Sequence, residues 1–129
     1  MTNYTLEIYK APLEAIKKGA KKIEVRTNNS YESIRYDGLE QGDTIAFQVI
    51  SGPPFTGLDV IEPDVLIVEV VDVRHYPDPK ALLLAEKRVG LENLCETLEE
   101  QIDLLYSFHE YQDMIPVHGI FAIEIKPLG

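Results

Sequence analysis

At 129 residues, with 45% apolar and 26% charged side chains, the chain has the length and composition of one globular domain (residues 1–129) with a sizeable core. It has no run of 18 apolar residues to span a membrane and no signal-peptide pattern in Met1–Glu7, and its lone Cys95 excludes an internal disulfide, so a cytoplasmic protein is expected. The net charge of −10 excludes a broad duplex-binding surface, yet residues 1–36 carry +3 and the remainder −13, which suits one small, focused anion or nucleotide site.

The elements follow from hydrophobic periodicity. Tyr4–Tyr9 alternates as a strand, and Ala11-Pro12 opens a short helix whose inward edge is Leu13 and Ile16. Gly19 ends that helix, because a left-handed residue after the last turn penalises a Cβ. Lys22–Arg26 then alternates, placing Lys22, Glu24 and Arg26 on one face and Ile23 and Val25 on the other. Thr27–Gly42 is polar and turn-rich, with Tyr31, Ile34 and Tyr36 as its packing residues. Thr44–Ile50 is a strand, Phe55–Asp64 a loop, and the β-branched Val65–Arg74 a central strand buried on both faces.

Two helices come next, over Lys80–Val89 and Leu91–His109. In the second, an apolar stripe of Leu91, Leu94, Cys95, Leu98, Ile102, Leu105 and Phe108 opposes Glu92, Glu96, Glu99, Glu100 and Asp103. This makes Cys95 an inert core thiol. Gly119–Lys126 supplies the last strand. The order β-α-β-β-β-α-α-β, with helices in two clusters beside a mainly antiparallel sheet, predicts an α+β fold whose sheet curls toward a barrel.

Gly19–Arg26 reads G-x-K-x-x-E-x-R. Two cations flanking an anion orient one another and present donors to an anionic or polar ligand, although alternating charges also describe a solvated strand face. The run resembles the signature of the ASCH (activating signal cointegrator homology) family. Three further segments match that family's order: Leu39–Phe47 with its Gly42-Asp43 turn, Val68–Tyr76 running into a tyrosine, and Gly119–Ile125.

The resemblance spans residues 4–126 and implies a PUA-like curled, mostly antiparallel β-barrel with flanking helices. It further implies binding of RNA or a nucleotide-like small molecule in a cleft beside the motif strand, formed by Lys21, Glu24 and Arg26 with Gly19 shaping the turn. Strict alternation would instead turn Lys22 to the Glu24 face; a late strand start would bring Lys21 there.

Some relatives resemble an acetylcytidine amidohydrolase, and others ribonucleases. This implies an alternative hydrolase reading with Lys21 and Glu24 as the acid–base pair. Glu24, however, stands where the amidohydrolase pattern has a threonine, and a carboxylate does not replace a hydroxyl nucleophile.

Asn28, directly after the motif, is read as a base-edge donor or acceptor or as a turn cap. Tyr111 is the aromatic most open for stacking on a base, and His118 lines the cleft or sits on a surface turn. No metal or cofactor is expected, because His75, His109 and His118 form no ligand-spaced pair and no phosphate-binding glycine loop occurs. A third reading is a protein-interaction module that uses the acidic face of residues 91–109 on a basic partner.

Overall fold

The computed structural model describes residues 2–30, 32, 34–50, 60–91, 95–108 and 110–128, with side chains from 66 onward in the third long segment. Among these the chain runs β1 (Asn3–Ile8), α1 (Lys10–Lys17), β2 (Ile23–Arg26), a 3-10 turn (Tyr36–Gly38), β3 (Thr44–Ile50), β4 (Val60–Tyr76), α2 (Pro79–Ala85), α3 (Leu98–Ser107), α4 (Tyr111–His118) and β5 (Ile120–Pro127). The fold is α+β, as expected, with helices flanking a curled, mostly antiparallel half-barrel.

The strand order is β1-β3-β4-β5-β2. β1 lies parallel to β3, with Leu6 opposite Phe47. The other neighbours are antiparallel: Ile45 faces Val68, Val70 faces Ile125, and Glu24 faces Ile123. No helix among the described residues is long and apolar enough to cross a membrane.

Two cores lie on opposite faces of β5. Phe121, Ile123 and Ile125 join Leu6, Leu13, Ile16 and Tyr36 in one. Ile120 and Ala122 join Ile23, Leu82, Leu105 and Ile115 in the other, beneath α2, α3 and α4. The strand buried on both faces is therefore β5. The expectation of a doubly buried Val65–Arg74 is corrected: Val68 and Val70 are sealed, but Ile67, on the opposite face, is 46% exposed. Its β-branched residues suit a pleated strand paired on both edges, whether or not both faces are covered. The same strand begins at Val60, so residues 60–64 of the expected loop belong to β4, and 55–59 lie outside the described residues.

The helical segments also differ from expectation. α2 stops at Ala85, so Val89 and Leu91 reach the core from irregular chain in which Arg88 and Gly90 have φ of 59° and 89°. The long helix expected over Leu91–His109 starts at Leu98, where the Thr97 hydroxyl accepts the Glu100 N–H at 3.1 Å. That T-x-x-E capping arrangement gives α3 its start. Glu99 and Glu100 therefore occupy a first turn, where negative charge complements the helix dipole. Cys95 precedes the helix and is partly exposed, not a core thiol; Leu94 and His109 lie outside the described residues. α4 is an additional helix, continuing through Pro116 because Tyr111 and Ile115 anchor it in the core.

Candidate functional site

Gly19 has φ 78° and ends α1 as expected, and Ala20 and Lys21 both donate their backbone N–H to Ala15 O, at 3.0 and 3.1 Å. β2 starts only at Ile23, so alternation does not govern the two preceding lysines. Lys22 donates its backbone N–H to Arg88 O at 2.8 Å and leaves its side chain exposed. Lys21 turns inward and is 6% exposed. Its ammonium donates to Ile23 O at 2.7 Å and Val89 O at 2.5 Å, and lies 3.3 Å from Glu24 Oε1. Gly90 makes room for it, since a Cβ at that position would lie 2.9 Å from Lys21 Cδ.

Glu24 passes the contact on. Its Oε2 accepts from Arg26 Nη2 at 2.8 Å and from Nε at 3.3 Å. Arg26 Nη1 reaches Glu32 Oε2 at 3.2 Å, and Glu32 Oε1 accepts from Tyr36 Oη and Asn29 Nδ2, each at 2.8 Å. Arg26 Nη2 also donates to Glu7 O at 2.8 Å. That bond is structurally distinctive, because β1 and β2 are the two edges of the sheet. The half-barrel is drawn together there by a guanidinium, with no ladder between those edge strands among the described residues.

The array places two cations against two carboxylates in a largely water-free site, so it is neutral overall. Burial alone would raise the Glu24 carboxyl, but Arg26 and then Lys21 outweigh it and hold the group below its ordinary range. Burial likewise opposes the charge on Arg26, yet Glu24 above all keeps the guanidinium protonated, well above its usual value. Burial pushes the Tyr36 hydroxyl far up, so it serves as a neutral donor to Glu32.

These directions limit the chemistry. A general base works best with a pKa near the operating pH, and Glu24 is moved away from neutrality. The three ammonium hydrogens of Lys21 have three acceptors at hand. The Lys21–Glu24–Arg26 run thus acts as framework in this geometry.

Two recesses, each of about 540 Å³, open at opposite ends of the motif strand. The first lies beyond Arg26, between Phe121, Tyr36 and His75, with Asn28, Asp37 and His118 on its rim. The Phe121 ring centroid is 4.9 Å from that of His75 and 6.4 Å from that of Tyr36. His75 Nε2 is 2.8 Å from His118 O. Asn28 accepts from Tyr36 N and donates to Asp37 Oδ1, both at 2.8 Å. The Asn28 bond is the main cause holding the exposed Asp37 carboxyl below its ordinary range. The second recess lies before Ile23 and is lined by Gly19, Lys17, Lys18, Lys22, Glu124 and Lys126, with the Lys21 stem at its wall.

The anticipated site residues therefore separate into groups. Gly19, Lys21 and Lys22 border the lysine recess, Asn28 and His118 border the aromatic recess, and Glu24 and Arg26 sit within the buried array. Tyr111 is the correction: expected to be open, it is 4% exposed and stacked edge-on against Phe108 at 5.5 Å. The sequence reading missed Glu32, Val89 and Gly90 as parts of the array. Gly90 alone left a signal, as a glycine interrupting a helical pattern. Among the described residues, no three His, Cys, Asp or Glu side chains converge as a metal site would.

No protein-family model matches the chain, and no curated protein matches it. Among solved structures, the crystal structure of hypothetical protein PH0355 superposes with a TM-score of 0.75 at 24% identity, over 98% of this chain and 100% of that one. The solution NMR structure of protein PF0455 from Pyrococcus furiosus superposes with a TM-score of 0.62 at 26% identity, over 98% of each chain. The fold is therefore shared from end to end with these proteins.

Proposed function

We propose that this chain is a cytoplasmic ASCH-type protein that binds RNA or a nucleotide-like ligand, taking a base into the recess between Phe121, Tyr36 and His75. The observation that carries the reading is the composition of that recess: the exposed ring of His75, backed by the buried Phe121 and Tyr36, beside an exposed, ionised Asp37 that Asn28 holds in place. A base stacked on aromatic side chains gains about 1–3 kcal/mol, and a carboxylate at its edge selects bases that carry an amino group. The ionised Asp37 accepts from the exocyclic amine of cytosine or adenine and repels the carbonyl edge of uracil. Binding is favoured over hydrolysis by Lys21 and Glu24, because that pair is saturated and Glu24 is displaced from neutrality.

The test is equilibrium binding of labelled oligo-C, oligo-A and oligo-U to the full chain at fixed salt. Oligo-C and oligo-A should bind more tightly than oligo-U, and Asp37→Asn should remove the difference while leaving the melting temperature nearly unchanged. Equal affinity for all three in the native protein, or no binding of any, would overturn the reading.

A further inference from the structure

We infer that the recess at the start of the motif strand is a phosphoryl-anion subsite formed by Lys17, Lys18, Lys22 and Lys126. On a chain of net charge −10, four lysines around one concavity of about 540 Å³ are a local reversal of sign. Such a reversal concentrates anions where the remaining surface repels them. These lysines are exposed, unlike Lys21.

Their partners leave charge to spare. Lys17 is 4.0 Å from Glu14 and Lys126 is 3.4 Å from Glu69, distances of weak, solvated pairs. Lys18 and Lys22 have no carboxylate within ion-pair distance among the described residues. The acid on the wall, Glu124, is engaged by Arg74 at 3.0 Å. Lysine is a point charge on a flexible stem, so four ammonium groups borne around one recess can adapt to the tetrahedral oxygens of a phosphoryl group without demanding planar geometry. The backbone N–H groups of Gly19, Ala20, Lys21 and Lys22 are all spent on carbonyls, so side chains alone would supply the contacts.

The subsite rests on a different observation from the aromatic recess. The two are joined by β5, whose Phe121 and Ile125 line one recess each. Four residues of strand separate them by about 13 Å. A single nucleotide does not bridge that distance, whereas a short single-stranded oligonucleotide does. The phosphoryl group is therefore either that of a free phosphate monoester or a backbone phosphate of RNA, and the experiment has an arm for each.

The isotope-labelled full chain is titrated with inorganic phosphate, with cytidine, and with a short single-stranded RNA, ionic strength being held with chloride. Phosphate is expected to shift the amide signals of Gly19, Lys22 and Lys126 saturably, and K18E/K22E to weaken that binding at least tenfold. Cytidine should shift the Phe121 and His75 region only, so loss of one response leaves the other interpretable. If RNA is the source, K18E/K22E should also lower the slope of log affinity against log salt by about 1.4, at about 0.7 per lost phosphate contact. An unchanged slope with lost phosphate binding assigns the site to free monoesters. K18Q/K22Q, which adds no negative charge, guards against a folding defect and should reproduce the loss. Phosphate shifts that are linear and match those of chloride, or that persist undiminished in both double variants, would overturn the proposal.

Discussion

The motif lysine invites a direct test of whether it is framework or working group. Lys21→Met keeps the aliphatic stem that packs on Gly90 but removes an ammonium that is 6% exposed. The change withdraws a donor from Ile23 O and Val89 O and one of two cations from Glu24. Each lost hydrogen bond costs about 1 kcal/mol, and breaking a buried charge array costs about 3–5 kcal/mol in all. For a domain of this size, that corresponds to a fall of about 11–18 °C in Tm.

Lys22→Met is the matched control. The neighbouring lysine is exposed, so the same substitution there should change stability by less than about 0.5 kcal/mol. Urea unfolding followed by far-ultraviolet circular dichroism measures both variants, with an unchanged m-value required for the comparison. A Lys21→Met protein within 1 kcal/mol of Lys22→Met would refute the argument that Lys21 is committed to the fold. The expected result carries a warning for function: activity or binding lost in a Lys21 variant reports first on folding, unless stability is measured alongside.

Two further outcomes follow from the same array. Because the folded Glu24 carboxyl lies below its unfolded value of about 4.3, its stabilisation is complete above that pH and is lost as pH falls through the lower folded value. Asp37, Asp43 and Glu86 are lowered too and titrate in this acid range, so the difference between native protein and Glu24→Gln isolates the contribution; Glu24→Gln should be less stable at neutral pH and lose less on acidification below about pH 4, and parallel stability–pH curves would exclude the coupling. Gly90→Ala and Gly42→Ala both force a Cβ into left-handed backbone, at φ 89° and 94°, for about 1–2 kcal/mol each, but only the first meets Lys21, whereas nothing lies within 4 Å of the second. Gly90→Ala should therefore cost at least about 1 kcal/mol more in chemical denaturation, and equal costs would show that Lys21 does not depend on that close approach.

What could be read from the sequence was local. Period-two alternation located β1, β3 and β5, the spacing of Leu13 and Ile16 with Gly19 located α1, and two-residue spacing on a strand put Glu24 beside Arg26. Where a local rule had a rival, tertiary packing decided. No helix was expected over 111–118, yet α4 forms there and continues through Pro116, with Tyr111 and Ile115 anchoring it in the core. The apolar stripe from Leu91 suggested one long helix, yet the Thr97 cap starts α3 seven residues later.

The site shows the same division. The Lys21, Glu24 and Arg26 of the array stand in the chain from Gly19 to Arg26, but further hydrogen-bond acceptors arrive from elsewhere: Val89 O lies 68 residues from Lys21, and Glu7 O lies 19 from Arg26. Local alternation reports which face a residue occupies and says nothing of what the fold brings opposite it. The sequence by itself therefore determined that opposite charges meet at the start of β2. Only the tertiary structure decided that they neutralise one another in a water-poor array, while the exposed Lys17, Lys18, Lys22 and Lys126 are gathered around an open recess.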